Sequence, residues 1–370
     1  MDPMDLRAGV PALDDGTYLN WGASGPSPRR VVDRVESTLE YHEFDAPNRE
    51  GMYPAAFDVY DQTRETVASF VGATPQEIAL TQSTTDAINR VATAMSWSEE
   101  DEVVITDLEH SAGRLPWFRL EEEVGITVTV LETDGGRIDL EEFERAVQEA
   151  TLVCFSAIDW LYGRRHPVSD LVDLARDAGA MTLVDAVQAP GQITMDVADW
   201  GADVVAAAGH KWLLGPWGAG FLYVRESVAN SLEPTSLGYR SVEDPNAADY
   251  TYKRGAQRFE VATTSPAPYA GLDEAMQTIG DVGVDTIEKR IRGLTEYFKD
   301  GLSTGRLRSP EEFHSGLVSV ASSNPEETVE SLASSGVQIR SLPAPETVRV
   351  SLHAVNRESD VDAVLEVLAD

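Results

Sequence analysis

Lys211 is one of only four lysines in a 370-residue chain that carries 25 arginines. It lies in Gly-His-Lys-Trp-Leu-Leu-Gly-Pro-Trp-Gly-Ala-Gly, directly after the apolar run 204–207. An amine can shed its proton and form an imine with a carbonyl. A guanidinium stays charged in proteins and cannot do so. A scarce lysine between a Gly-His pair and a Gly-rich turn therefore points to carbonyl chemistry at its side chain.

Other residues able to do chemistry fall at the ends of apolar runs. Asp185 closes Thr-Leu-Val-Asp-Ala-Val-Gln-Ala, and Gln188 follows three residues later. A carboxylate there can hold a pyridine nitrogen protonated, or simply cap a turn. Gln188 can donate to a phenolic oxygen. Thr81-Gln-Ser-Thr-Thr-Asp opens a helical pattern. Its hydroxyls and amides suit either a phosphate group or ordinary helix capping. His110, in Leu-Glu-His-Ser-Ala, can stack on a flat ring and assist proton transfer. His210 precedes the lysine and can donate to a phosphate. Amine, ring acid, ring histidine and phosphate turn together describe a site for pyridoxal 5′-phosphate (PLP) on Lys211.

Positioning these groups requires strands ending where they occur. The sequence predicts strands over 78–81, 103–106, 126–131, 152–156, 182–185, 204–207 and 220–224. Helical patterns intervene, among them 140–149 and 170–178. Such alternation predicts an α/β fold, a mostly parallel seven-stranded sheet with helices on both faces and functional residues at the strands' carboxyl ends. From about residue 255 the texture changes, with helices over 272–279 and 284–302, strands over 316–321 and 347–352, and a final helix over 358–369. The expected division is a large domain over 16–254 and a smaller α+β domain over 255–370, with 1–15 packed alongside.

Sixty-three acidic against 29 basic residues give a formal net charge of −34. That balance disfavours nucleic acid and anionic membranes as partners. With Arg in place of Lys, it is also the balance expected of a halophilic protein. The single cysteine, Cys154, lies inside an apolar run and is expected in the core. No metal site is expected. No apolar stretch approaches a membrane span and no leader pattern opens the chain, which predicts a cytoplasmic protein. A dinucleotide-binding reading lacks its Gly-x-Gly-x-x-Gly turn after an early strand.

The order of these motifs resembles the class V, fold-type I PLP-dependent enzymes, which include cysteine desulfurases, isopenicillin N epimerase-like proteins and related aminotransferases and lyases. The resemblance runs from about Tyr18 to the C-terminus. It implies that Lys211 carries the cofactor as a Schiff base, that His110 stacks on its ring, and that Asp185 and Gln188 contact its nitrogen and phenolic oxygen. Thr84, Thr85 and His210 would bind its phosphate. Arg258-Phe-Glu-Val-Ala-Thr resembles a segment whose threonine reaches the phosphate of the neighbouring subunit, so Thr263 implies a homodimer with shared sites. Arg349 would clamp the α-carboxylate of an amino-acid substrate, and Asn20 would line the substrate end.

The chain also departs from that family. Desulfurases carry a nucleophilic cysteine shortly before the carboxylate-binding arginine, and residues 336–349 contain none. Ala208 replaces a phosphate-binding serine, Trp160 a polar residue near the cofactor, and Val355 a tyrosine. The Gly-His-Lys-Trp-Leu-Leu-Gly-Pro context leans toward the epimerase-like branch. The expected reaction is aminotransfer or C–S/β-elimination. Epimerisation, for which His110 or Tyr162 would supply the second base, is an alternative. So are a desulfurase-like protein lacking the loop cysteine and a non-catalytic scaffold.

Overall fold

The computed structural model describes residues 1–343 and 346–368. Twelve strands occur among them: β1 (Thr17–Tyr18), β2 (Ile78–Thr81), β3 (Glu102–Thr106), β4 (Thr127–Leu131), β5 (Leu152–Ser156), β6 (Met181–Asp185), β7 (Val204–Ala208), β8 (Gly220–Val224), β9 (Leu317–Ala321), β10 (Val337–Gln338), β11 (Arg340–Ser341) and β12 (Thr347–Ser351). Seven form one sheet in the order β2-β8-β7-β6-β5-β3-β4. The central pairs are parallel, and β8 runs antiparallel to both β7 and β2.

Burial on both faces explains the unbroken apolar runs of this sheet. Every residue of β2, β5, β7 and β8 is buried. The two-residue period sends Val153, Phe155, Val205 and Phe221 into one core, and Leu152, Cys154, Val204 and Leu222 into the core on the opposite face. Helices begin where the sequence supplies an oxygen acceptor. The Asp139 carboxylate accepts from Glu141 N and Glu142 N at the start of Leu140–Ala146, and Ser83 Oγ accepts from Asp86 N at the start of Thr84–Ala92.

A three-stranded antiparallel sheet, β11-β12-β9, carries a third core with Val318, Val320, Val348 and Val350 against Val361 and Val364 of the helix Glu358–Leu368. Of the expected final helix, residue 369 lies outside the described residues. The helix expected over 272–279 is longer, Ala267–Val282, because a proline in the first turn gives up no hydrogen bond. It packs on the helices Arg29–Glu40 and Met52–Val71. The N-terminal segment lies against C-terminal elements. β1 pairs with β10, Asn20 bridges to Ser351, and Arg7 pairs with Asp360 at 2.9 Å. Among the described residues no helix is long and apolar enough to cross a membrane, and no cluster of His, Cys, Asp or Glu could hold a metal ion.

Candidate active site

The carboxyl ends of β2, β3, β5, β6 and β7 share one edge of the large sheet, and the residues that follow them surround a cavity of about 190 Å³. Lys211, His110, Asp185, Gln188, Thr84, Thr85, His210 and Arg349 all line it. Parallel strands deliver the βα connections bearing Thr84 through Lys211 to the same side, and β12 of the small sheet brings Arg349 to the same space.

The turn bearing Lys211 is held by main-chain bonds. Gly25 N donates to His210 O at 2.7 Å, Gly209 N to Ala219 O at 3.0 Å, and Leu214 N to Lys211 O at 3.1 Å. Leu214 adopts φ +58°, a left-handed conformation that a branched side chain enters only under constraint. Gly25 approaches so closely that a Cβ there would lie 2.3 Å from Lys211 O. Burial pushes the Lys211 amine down to about 7. The positive charges of Arg349 and Arg340 act in the same direction, against Asp185.

Asp185 is 3% exposed, and its Oδ1 accepts from Val187 N at 2.9 Å. No other donor reaches this carboxylate among the described residues. Burial raises it above the usual carboxylate range, against the Val187 bond and the charge of Lys211. A protonated ring nitrogen would return it to the charged form. Gln188 is tied on both sides, donating from Nε2 to Gly22 O at 3.0 Å and accepting at Oε1 from Trp212 Nε1 at 2.7 Å. Its second Nε2 hydrogen is what remains for a phenolic oxygen.

The anion end lies at the N-terminus of the helix Thr84–Ala92. Ser83 caps the helix, and Thr84 Oγ1 is buried with no partner. His210 stands beside Lys211, its ring 4.9 Å from that of Trp217. Burial lowers its pKa to about 4. An orphaned hydroxyl and free amide groups at a helix N-terminus fit a phosphate. With Lys211 for an aldehyde and Asp185 for a ring nitrogen, these residues fit pyridoxal phosphate.

Arg349 closes the opposite end and is 1% exposed. Its Nη1 donates to Trp160 O at 2.8 Å, while Nε and Nη2 are buried without partners. These two groups form one edge of the guanidinium, the edge that meets a carboxylate with two parallel bonds. The Trp160 carbonyl is set in turn by Asp159, whose carboxylate accepts from Leu161 N, Tyr162 N and Arg164 N. Burial depresses the Arg349 pKa to about 9, with Arg340 adding to the effect.

Two expected residues do not line the cavity. Asn20 is held in its bridge to Ser351 with Oδ1 buried. The chain then turns, Ala23 N donating to Asn20 O at 3.0 Å, so that Gly22 and Ala23 line the cavity instead. Thr263 lies elsewhere, its Oγ1 accepting from Tyr239 Oη at 2.8 Å. Tyr162, considered as a second base, packs its ring against Gly136.

Residues not singled out as site groups also matter. Glu109 is buried, accepts from Thr106 Oγ1 at 2.7 Å and Ser156 Oγ at 2.6 Å, and fixes the loop that presents His110. Trp160 meets His110 edge to face at 5.3 Å. Arg340 lines the cavity beside Arg349. The signal for Glu109 was its place next to His110. Arg340 shows itself only once the β11–β12 hairpin is formed.

Comparison with known proteins agrees with this fold. A family model described as "Aminotransferase class-V" matches residues 17–364. A probable cysteine desulfurase of Methanothermobacter thermautotrophicus is 32% identical over 99% of this chain and 97% of its own length. Another from Halobacterium salinarum is 30% identical over 99% of this chain and 95% of its own. Among solved structures, apo cysteine desulfurase from Thermococcus onnurineus NA1 superposes with a TM-score of 0.92 at 28% identity, covering 100% of this chain and 98% of that one. The cystine C–S lyase C-DES, in complex with its product cysteine persulfide, gives 0.91 at 25% identity, covering 98% and 99%. The chain belongs to the class V aminotransferase family, as a fold-type I enzyme.

Proposed function

We propose that this chain is a PLP-dependent C–S lyase that removes a sulfur substituent from the β-carbon of an α-amino acid. One observation carries the choice among the reactions of the family. The only thiol, Cys154, is fully buried within β5, and burial raises its pKa well above the ordinary value. No protein thiol is placed to take sulfur from the substrate, so sulfur leaves as a free thiol or persulfide. With water, the remainder becomes pyruvate and ammonia.

Lys211 would carry the cofactor, with Asp185 at its ring nitrogen, Gln188 at its phenolic oxygen, and Thr84, Thr85 and His210 at its phosphate. Bound there, pyridoxal phosphate supplies an electron sink that acidifies the α-C–H of an attached amino acid. Arg349 receives the α-carboxylate on its open Nε–Nη2 edge and so fixes which bond at the α-carbon faces Lys211. The Lys211 amine, with a pKa near neutrality, takes the α-proton and returns it to a departing group. His110 would stack on the ring and, with its pKa lowered by burial, would serve as a neutral base near pH 7.

The epimerase-like reading loses one of its two candidate second bases, since Tyr162 packs against Gly136 and only His110 is left for that role. We also propose the homodimer. Thr263 lies outside its own chain's cavity, and large apolar side chains such as Phe44 and Trp217, each 72% exposed, await cover. The domain division at about 254–255 and a cytoplasmic location belong to the same reading.

The test is direct. Purified protein incubated with PLP should show a Schiff-base absorbance band at about 410–430 nm that Lys211→Ala abolishes. With cystine or cysteine, and no 2-oxo acid present, it should release pyruvate. Accumulation of pyridoxamine phosphate without pyruvate would overturn the lyase reading in favour of aminotransfer.

A further inference from the structure

The loop that follows β5 is gripped from two sides. Its neck closes on itself, with His166 N donating to Ala157 O at 2.9 Å and Asp159 N to Arg164 O at 3.1 Å. On the inner side its amides converge on one carboxylate. Asp159 accepts from Leu161 N and Arg164 N, each at 2.9 Å, and from Tyr162 N. On the outer side its carbonyls are taken by β12, β9 and the residues leading into β9. Arg349 Nη1 donates to Trp160 O at 2.8 Å, Ser319 Oγ to Leu161 O, and Ser315 Oγ to Gly163 O at 2.6 Å. Arg349 and Ser319 are direct partners in the β12–β9 register, so two consecutive carbonyls of the loop meet two adjacent strands. Gly163, at φ +69°, lets the loop come so close to β9 that a Cβ there would overlap Leu317 O.

Asp159 is 0% exposed, a costly place for a charge. Among the described residues no cation donates a hydrogen bond to it. His166 Nε2 lies 3.8 Å away, but burial lowers the His166 pKa to about 3 and leaves that ring neutral near pH 7. Main-chain amides alone meet the carboxylate, and bonds to an ionised acceptor are about twice as strong as neutral ones. The loop is therefore stiff where it faces Arg349. The Asp159 charge also acts to keep Arg349 protonated, against burial and the charge of Arg340.

We propose that Asp159 is a positioning residue for carboxylate recognition: by pinning the loop 159–165 it fixes the Trp160 carbonyl, and through it the direction in which the open Nε–Nη2 edge of Arg349 faces the cavity. The proposal rests on the reading of Arg349 as the α-carboxylate clamp of a PLP enzyme. Nη1 is the tethered corner of a planar group. A shift of the Trp160 carbonyl turns the whole guanidinium and spoils the two parallel bonds that its free edge offers. Ser319 supports the same arrangement from the neighbouring strand, by holding the next carbonyl of the loop.

The experiment uses the PLP-loaded protein and two reagents that displace Lys211 from the aldehyde. Aminooxyacetate carries a carboxylate and methoxyamine carries none. Bleaching of the Schiff-base band gives a rate constant for each, and their ratio measures carboxylate recognition. Wild type should favour aminooxyacetate, and Arg349→Gln should remove that preference. Asp159→Asn, which keeps one oxygen acceptor and loses the other, should lower the ratio about ten- to a hundredfold through the aminooxyacetate rate alone. Ser319→Ala, which frees Leu161 O and leaves the buried charge in place, should lower it less, and it carries the test if Asp159→Asn does not fold. The double variant of Asp159→Asn and Arg349→Gln should show no lower ratio than Arg349→Gln by itself, because both changes act on one contact. A loss shared equally by the two reagents would make Asp159 a structural residue only and overturn the proposal. So would an unchanged ratio in both single variants, or losses that add in the double variant. A wild-type preference that survives Arg349→Gln would overturn the reading of Arg349, and the proposal with it, while the Schiff-base band would leave the cofactor reading standing.

Discussion

At pH 7 an amine whose pKa has fallen to about 7 is half neutral, whereas a lysine at the ordinary value of 10.5 is neutral in roughly 0.03% of molecules. Lys211 in the apo protein should therefore offer on the order of a thousandfold more free amine than an exposed lysine. The assay is stopped-flow mixing of apo protein with PLP from pH 5.5 to 10.5, following growth of the Schiff-base band. Its rate should rise with pH to a plateau with a midpoint near 7. Asp185→Asn removes the one nearby anion that raises the amine's pKa, and should move the midpoint down by about one unit. The same shift fixes a stability trend. Between about 7 and 10.5 the unfolded chain holds a proton on Lys211 that the folded chain has lost, so apo stability should rise with pH through that window. Lys211→Met should flatten that portion of the curve. A capture midpoint near 10, or a midpoint unmoved by Asp185→Asn, would refute the account of burial and local charge.

Three further outcomes follow from the geometry. Glu109 is buried and its pKa is raised by desolvation to about 8, so the folded state holds its proton between the ordinary 4.5 and 8. Stability should fall as pH rises through that window, and Glu109→Gln should remove this slope in urea unfolding measured from pH 5 to 9. Gly25→Ala places a methyl group against Lys211 O and should cost about 1–3 kcal/mol of stability. Thermal unfolding and PLP stoichiometry would show it, with both falling together. Arg349→Gln removes the two-bonded edge offered to the α-carboxylate and should cost about 2–5 kcal/mol, roughly 30- to 5,000-fold in kcat/KM, while the Schiff-base band persists.

Much of the molecule was legible in the chain because its signals are local. Apolar runs of four to six residues marked all seven strands of the large sheet, and strand-end residue types marked Lys211, Asp185, His110 and the Thr84 turn, which line one cavity. Buried, covered strands leave continuous apolar runs, and βα connections leave chemistry at their ends, so both features survive in a linear sequence. Asn20, expected at the substrate end, lies outside the cavity lining for the opposite reason. Whether a residue two positions before a turn faces the cavity depends on the bridge to Ser351, a contact across more than three hundred residues.

By itself the sequence pointed to a class of chemistry, with an amine suited to a carbonyl, an acid suited to a ring nitrogen, and no thiol outside the sheet. Only the tertiary structure decided how those groups are tuned and what stands opposite them. Burial brings the Lys211 amine down to about 7, which no neighbour in sequence could signal. The hairpin register sets Arg340 against Arg349, and the turn pinned by Asp159 leaves one edge of the Arg349 guanidinium open. These are properties of distance and desolvation, which arise when separated segments are packed together.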